Sequence, residues 1–297
     1  MSLRIAVIGR TGQLARALIR EGEEQGHEII ALGRDTLDLT DSPAVIESAV
    51  DQLPSGMDVL VIAAAYTDVD GAESDSKTAY AVNAAAPAAI ARACRKHGLP
   101  LIHISTDYVF DGEGDLPYQP NDDTDPLGVY GASKLDGELA VLESGARAMI
   151  LRTSWVFDGT GKNFLTTMLG LRDRAELRVV DDQIGRPTFA GHLASAVLKA
   201  ADALVNDPEL ETNILHVTGG GEEASWADFA VEIFRAVEAN VEVERIPSDD
   251  YPTIAERPLW SVLDSSAFER HFRHPMPDWR VGMNAALSEW QEAKAND

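Results

Sequence analysis

Apolar residues fall in two rhythms along this chain. Short apolar runs at Arg4 to Ile8, Glu28 to Leu32, Asp58 to Ala63, Leu101 to Ser105 and Met149 to Thr153 have the length and texture of strands buried on both faces. Between them lie longer stretches with apolar positions three and four apart, which predict helices over Gly12 to Gln25, Ser76 to His97 and Tyr130 to Glu143. A further helix opens at Asp41-Ser42-Pro43, where Asp41 or Ser42 suits the cap and Pro43 the first turn. Strands alternating with helices imply right-handed crossovers and a doubly wound parallel sheet. After Trp155 the texture changes. A mixed helix is expected over Gly159 to Arg174, then the segment Val179 to Thr188, an apolar helix over Leu193 to Val205 and a strand at Ile214 to Val217. The remainder reads as less regular, punctuated by Pro247, Pro252, Pro258, Pro275 and Pro277. The expected division is 1–155, with 190–218 returning to it, as one domain, and 156–189 with 219–297 as a smaller lobe.

Charge narrows the ligands. Among 297 residues there are 25 Lys and Arg against 49 Asp and Glu, a net charge of −24. Such a chain repels nucleic-acid phosphates and anionic lipids, so neither is an expected partner. The acidity is dispersed, and 45% hydrophobic residues suffice for a sizeable core, so this is no disordered acidic tail. With lysine scarce, the composition suggests adaptation to concentrated salt, and an ordinary acidic enzyme is the alternative reading. The lone Cys94 excludes an internal disulfide, and it lies in an apolar stretch that predicts a buried, inert thiol. No apolar run is long enough to span a membrane, and the first residues lead directly into a strand, so a cytoplasmic location is expected. No metal is expected to be required, and a homodimer is compatible with the sequence.

Gly9-Arg10-Thr11-Gly12-Gln13-Leu14-Ala15 joins the first strand to the first helix. In this position glycines let the backbone approach a pyrophosphate, and the free N–H groups of the helix terminus favour an anion. A Rossmann-type dinucleotide site is the expected result. At the end of the second strand, Arg34 suits a 2′-phosphate, whereas the nearby carboxylates Asp35 and Asp38 suit ribose hydroxyls. NADPH is favoured, with Arg10 as a second cation, and NADH stays possible. Leu39 and Ala63 complete this cofactor set.

Tyr130 and Lys134, four apart, share one helix face. A charged lysine beside the phenol is expected to lower its pKa, so that tyrosine exchanges a proton with a carbonyl or alcohol oxygen. Thr106, at the end of the fourth strand, can donate a hydrogen bond to that same oxygen.

At this point a family becomes recognisable. GxxGQL, the segment Ala63 to Asp70, STDYVFDG, YGxSK, LRTSWVF (Leu151 to Phe157), DDQIGRPT (Asp181 to Thr188) and Gly219-Gly220-Gly221 followed by Ser225-Trp226 resemble dTDP-4-dehydrorhamnose reductases of the extended short-chain dehydrogenase/reductase superfamily. The resemblance spans nearly the whole chain. It implies a nucleotide-sugar 4-ketoreductase in which NAD(P)H reduces dTDP-4-dehydro-L-rhamnose to dTDP-L-rhamnose, a step of surface polysaccharide biosynthesis. Tyr130 would be the proton donor, Lys134 would hold the nicotinamide ribose, and Ala64, Ala65 and Tyr66 would approach the cofactor. It also places Val69, Thr106, Asp107, Tyr108, Tyr130 and Trp155 on the sugar side, Trp155 as a flat apolar wall. Arg186 would pair with the nucleotide diphosphate, against an interdomain ion pair as the alternative, and Arg257 is a weaker candidate of the same kind. Two departures stand out: Ala15 replaces a glycine, and the bulky Trp260 stands where a small or polar residue is usual. The alternatives are an epimerase or reductase for another 6-deoxyhexose, and a non-catalytic NADP-binding regulatory subunit of a methionine adenosyltransferase.

Overall fold

The computed structural model describes residues 2–296. Six parallel strands form the central sheet. The first five are β1 (Arg4–Ile8), β2 (Glu28–Leu32), β3 (Val59–Ile62), β4 (Leu101–Thr106) and β5 (Ala148–Thr153). Four short strands follow, β6 (Val156–Phe157), β7 (Glu176–Val180), β8 (Ile184–Gly185) and β9 (Thr188–Phe189). The sixth sheet strand, β10 (Asn213–His216), pairs with β5 and gives the order β10-β5-β4-β3-β1-β2. The last two strands, β11 (Ala224–Ser225) and β12 (Glu242–Ile246), pair with β8 and β7 in the smaller lobe.

Alternation along each strand builds two cores. Ile5 and Val7 of β1 with Val59 and Val61 of β3 pack toward α1 (Gln13–Glu24) and α8 (Ala190–Asn206). Ala6, Ile8, Leu60 and Ile62 face α2 (Pro43–Asp51) and α5 (Ala86–His97) on the other side. Each fully buried Ile or Leu stabilises such a core by about 1.5–3 kcal/mol. Cys94 is buried there, and desolvation pushes its thiol up to about 12, an inert group.

Four expected elements differ. The helix over Ser76 to His97 is α4 (Ser76–Tyr80), a π-helical turn at Ala81–Ala85, and α5. The extra residue of that turn accompanies the inward placement of Asn83, 1% exposed, which binds other backbone instead of solvent. The mixed helix over Gly159 to Arg174 shrinks to α7 (Phe164–Leu171), because Asn163 caps it in a reciprocal box with Thr166 and the preceding residues form a loop. The segment Val179 to Thr188 resolves into the end of β7, then β8 and the start of β9. The proline-punctuated remainder is more regular than its sequence suggests. It carries α9 (Trp226–Ala236), α10 (Ser266–Phe272) and α11 (Trp279–Asn296), and Phe157, Phe229 and Trp279 meet in the lobe's own core. No helix among the described residues is long and apolar enough to cross a membrane.

Candidate active site

Gly9, at the end of β1, has φ 125°, and a Cβ there would lie 3.4 Å from the Ala15 methyl and 3.5 Å from the backbone of Ala63 and Ala64. A Cβ would fit that space in ordinary contact, so it is the positive φ that calls for glycine here. Ala15 is itself fully buried against this turn, so the departure from glycine is absorbed by packing. Gly12 is the N-cap of α1 and makes no side-chain cap, while a Cβ there would meet nothing within 4 Å. The first amides of α1 therefore face open space, with the helix dipole behind them.

That space is a cleft of about 1010 Å³ along the carboxyl edge of the sheet. The structure brings Gly9, Arg10, Thr11, Gly12, Gln13, Leu14, Arg34, Asp38, Leu39, Ala63, Ala64 and Ala65 to one part of its wall. Val69, Thr106, Asp107, Tyr108, Tyr130, Lys134 and Trp155 line it as well. Its two acidic neighbours at the β2 end, Asp35 and Asp38, are engaged elsewhere. Asp35 pairs with Arg10 at 3.3 Å, and Asp38 accepts from the Thr40 amide at 2.9 Å and its hydroxyl at 2.8 Å. These hydrogen bonds hold the Asp38 carboxyl below its usual range. Arg34 forms no ion pair among the described residues.

Tyr130 and Lys134 stand one turn apart on the helix α6 (Val129–Ser144); the short helix α3 (Val69–Ser74) lies earlier in the chain. Lys134 is 2% exposed and its Nζ donates to the Ile104 carbonyl at 2.6 Å. Burial lowers its pKa to about 8, with Glu138 acting in the opposite direction. The expected lowering of the Tyr130 pKa by Lys134 is absent here. Burial pushes the phenol up to about 12, opposed by a hydrogen bond with Thr106, while the ammonium is turned to the strand carbonyl. The Thr106 hydroxyl donates to Asp107 Oδ1 at 3.0 Å. Asp107 Oδ2 is buried without a hydrogen-bond partner, and desolvation raises this carboxyl to about 6.

Three predicted residues do not reach the cleft. Tyr66 is held by Asn83, which exchanges hydrogen bonds of 2.9 and 3.0 Å with its backbone and also binds Ser133 of α6, and its phenol lies over Gly71. Arg257 is clamped by Asp70 of α3 through contacts of 2.8 and 3.1 Å, which holds the Asp70 carboxyl down at about 2. That ion pair spends the charge intended for a diphosphate. Arg186 donates to the Leu263 carbonyl at 3.3 Å, with Nε buried and unpartnered, and it forms no ion pair among the described residues. Trp260 also stands off the cleft and donates to the Leu116 carbonyl at 2.9 Å.

Trp226 was not foreseen as a site residue. Its ring stacks on Trp155 at 3.6 Å and 5°, and both line the cleft. Trp155 has φ 47°, a strained conformation for a bulky residue, and a Cβ on Gly185 would come within 2.6 Å of its ring. Thus Trp155 is a wall with one face already covered by Trp226. The Ser225 cap, which starts α9 at Trp226, was the available signal.

The family model described as RmlD substrate binding domain matches residues 3–292. The chain belongs to the dTDP-4-dehydrorhamnose reductase family. A family member from Sinorhizobium fredii is 42% identical over 283 residues, 93% of this chain and 94% of that protein. A crystal structure of a family member from Clostridium acetobutylicum has TM-score 0.89 at 35% identity, covering 97% of this chain and 100% of that one. The Bacillus anthracis family member, crystallised in complex with NADP, has TM-score 0.88 at 32% identity, with the same coverage.

Proposed function

We propose that this protein reduces dTDP-4-dehydro-L-rhamnose to dTDP-L-rhamnose with NADPH, NADH being the poorer donor. The observation that carries the reading is the meeting of Tyr130, Lys134 and Thr106 with the glycine turn in one cleft. The open Gly12 corner and the left-handed turn at Gly9 fit a dinucleotide, held by the 9–14 turn, Arg34 and Ala63 to Ala65. When bound, the nicotinamide supplies a hydride to the C4 carbonyl. Tyr130 gives its phenolic proton to the carbonyl oxygen, which becomes the alcohol, and regains a proton from solvent. Its high pKa keeps that proton in place at neutral pH. Thr106 can turn its hydroxyl from Asp107 to the same oxygen, and Lys134 adds a positive charge to the wall of the same cleft. Family membership supports the substrate, which the relatives' names print. We place the reaction in the cytoplasm and read the −24 charge as adaptation to concentrated salt.

The test is incubation with NADPH and the 4-keto sugar. Stoichiometric loss of nicotinamide absorbance with formation of the 4-hydroxy sugar supports the reading; binding without turnover, or epimerisation without net oxidation, refutes it. Because Lys134 loses its charge as pH rises through about 8, kcat/KM should fall on the alkaline side, and Lys134→Arg should move that limb upward. Initial rates from neutral to alkaline pH give the comparison. Arg34→Ala should raise the Kd of NADPH by roughly tenfold and leave NADH nearly unchanged, as a charge-assisted phosphate contact predicts. Equal losses for both in a binding titration would remove Arg34 from the 2′-phosphate.

A further inference from the structure

The loop 158–163 crosses from the smaller lobe to the mouth of the cleft, and it is fastened at every step. Asp158 is 5% exposed, and its Oδ2 accepts from Arg16 Nη2 at 2.7 Å. The same guanidinium binds the Thr160 hydroxyl at 3.1 Å and, through Nη1, the carbonyl of Thr11 in the glycine turn. Gly159 donates to Glu289 Oε2 at 3.0 Å, and a Cβ there would lie 2.2 Å from the Ala286 carbonyl of α11. Asn163 closes the loop, its amide donating to Asp158 and Thr160 while its carbonyl oxygen caps α7.

On this rigid support Lys162 lines the cleft, as do Arg16 and Gly161. The two cations differ in what is left of their charge. Arg16 is neutralised by Asp158, whereas Lys162 forms no hydrogen bond or ion pair among the described residues. In a chain with 49 Asp and Glu against 25 Lys and Arg, an unpaired ammonium on a fastened loop at a ligand cleft is conspicuous. A diphosphate is the ligand chemistry that suits it, since the uncapped amides of α1 contribute to the same cleft wall.

We infer that Lys162 closes the glycine turn over the dinucleotide pyrophosphate, with Arg16 as the residue that positions its loop. The inference rests on the cofactor reading above. The pyrophosphate is favoured over the nucleotide-sugar diphosphate because Arg16 ties the Lys162 loop directly to Thr11 of that turn. Besides the free amides of α1, this chain brings a cation from the opposite lobe, so cofactor binding fastens the two lobes together.

The test titrates NADPH, NADH and dTDP into wild type, Lys162→Met and Lys162→Arg, reading Kd by calorimetry at low and high salt. Lys162→Met should raise the Kd of both dinucleotides by the same factor, roughly fivefold at low salt, the scale of one partly screened charge contact. That factor should shrink at high salt, Lys162→Arg should restore most of the affinity, and dTDP should be unaffected. Unchanged dinucleotide affinity overturns the inference. So does a loss confined to NADPH, which would assign Lys162 to the 2′-phosphate, or a loss confined to dTDP, which would assign it to the sugar nucleotide. If wild type itself binds neither dinucleotide, the cofactor reading fails first and takes this inference with it. An unchanged melting temperature shows that the exposed substitution leaves the fold intact.

Discussion

Tyr130→Phe should lower kcat by about 10²–10⁴-fold while leaving the Kd of NADPH within about twofold of wild type. The substitution removes one oxygen and keeps the ring, so the edge contact with Tyr108, whose centroid lies 5.4 Å away, survives. What disappears is the proton held at the carbonyl. The Thr106 hydroxyl remains but is a poor substitute, because in the free protein it donates to Asp107. Single-turnover rates separate the chemical step from release of product, and direct titration gives the cofactor affinity. A variant with wild-type turnover would show that the proton comes from elsewhere.

Arg152→Met should cost about 3–5 kcal/mol of folding stability. Arg152 of β5 and Glu138 of α6 form an ion pair in which the side chains are 3% and 1% exposed. The guanidinium reaches the carboxylate through contacts of 2.7, 2.9 and 3.2 Å, and it also donates to the Pro120 carbonyl and lies 5.1 Å from the Phe110 ring centroid. Removing it strands a buried carboxylate one turn beyond Lys134, on the helix that carries the proposed proton donor. Urea unfolding should show a lower midpoint at an unchanged slope. The double variant Arg152→Met with Glu138→Leu should recover much of the loss, since no charge is then stranded. A midpoint equal to wild type for the single variant would mean that water reaches Glu138 after all.

The parts of the molecule that sequence made legible are those in which local order and function coincide. The β1 run, the Gly9 to Ala15 turn and the helix behind it are contiguous, so their geometry follows from neighbouring residues. Tyr130 and Lys134 are one helical turn apart and could be read as a pair for the same reason. Long-range partners left no such trace. Nothing near Arg257 announces Asp70, 187 positions away, and that ion pair withdraws it from the ligand cleft. Asn83 lies inside a stretch of alanines that reads as uninterrupted helix, yet its π-helical turn and its bonds to Tyr66 and Ser133 fix the edge of the site. Trp155 was legible as an aromatic at the sugar side, but its partner Trp226 lies 71 positions later, and only the folded chain stacks them. Spacing gives the distance between Tyr130 and Lys134 along a helix, but it says nothing of the burial that raises the phenol pKa or of the Ile104 carbonyl that holds the lysine.

The return of the chain to its first sheet has a consequence for how this protein can diversify. β10 and α8 come after the β6 to β9 strands of the smaller lobe, yet Leu193, Ala194 and Val197 pack in the same core as Ile5 and Val7. A fragment ending at Trp155 would expose that apolar face and lack the outer strand, so truncation there strips the sheet of part of its cover. Changes to the substrate loops are therefore made on a sheet that the chain completes only after those loops have been built.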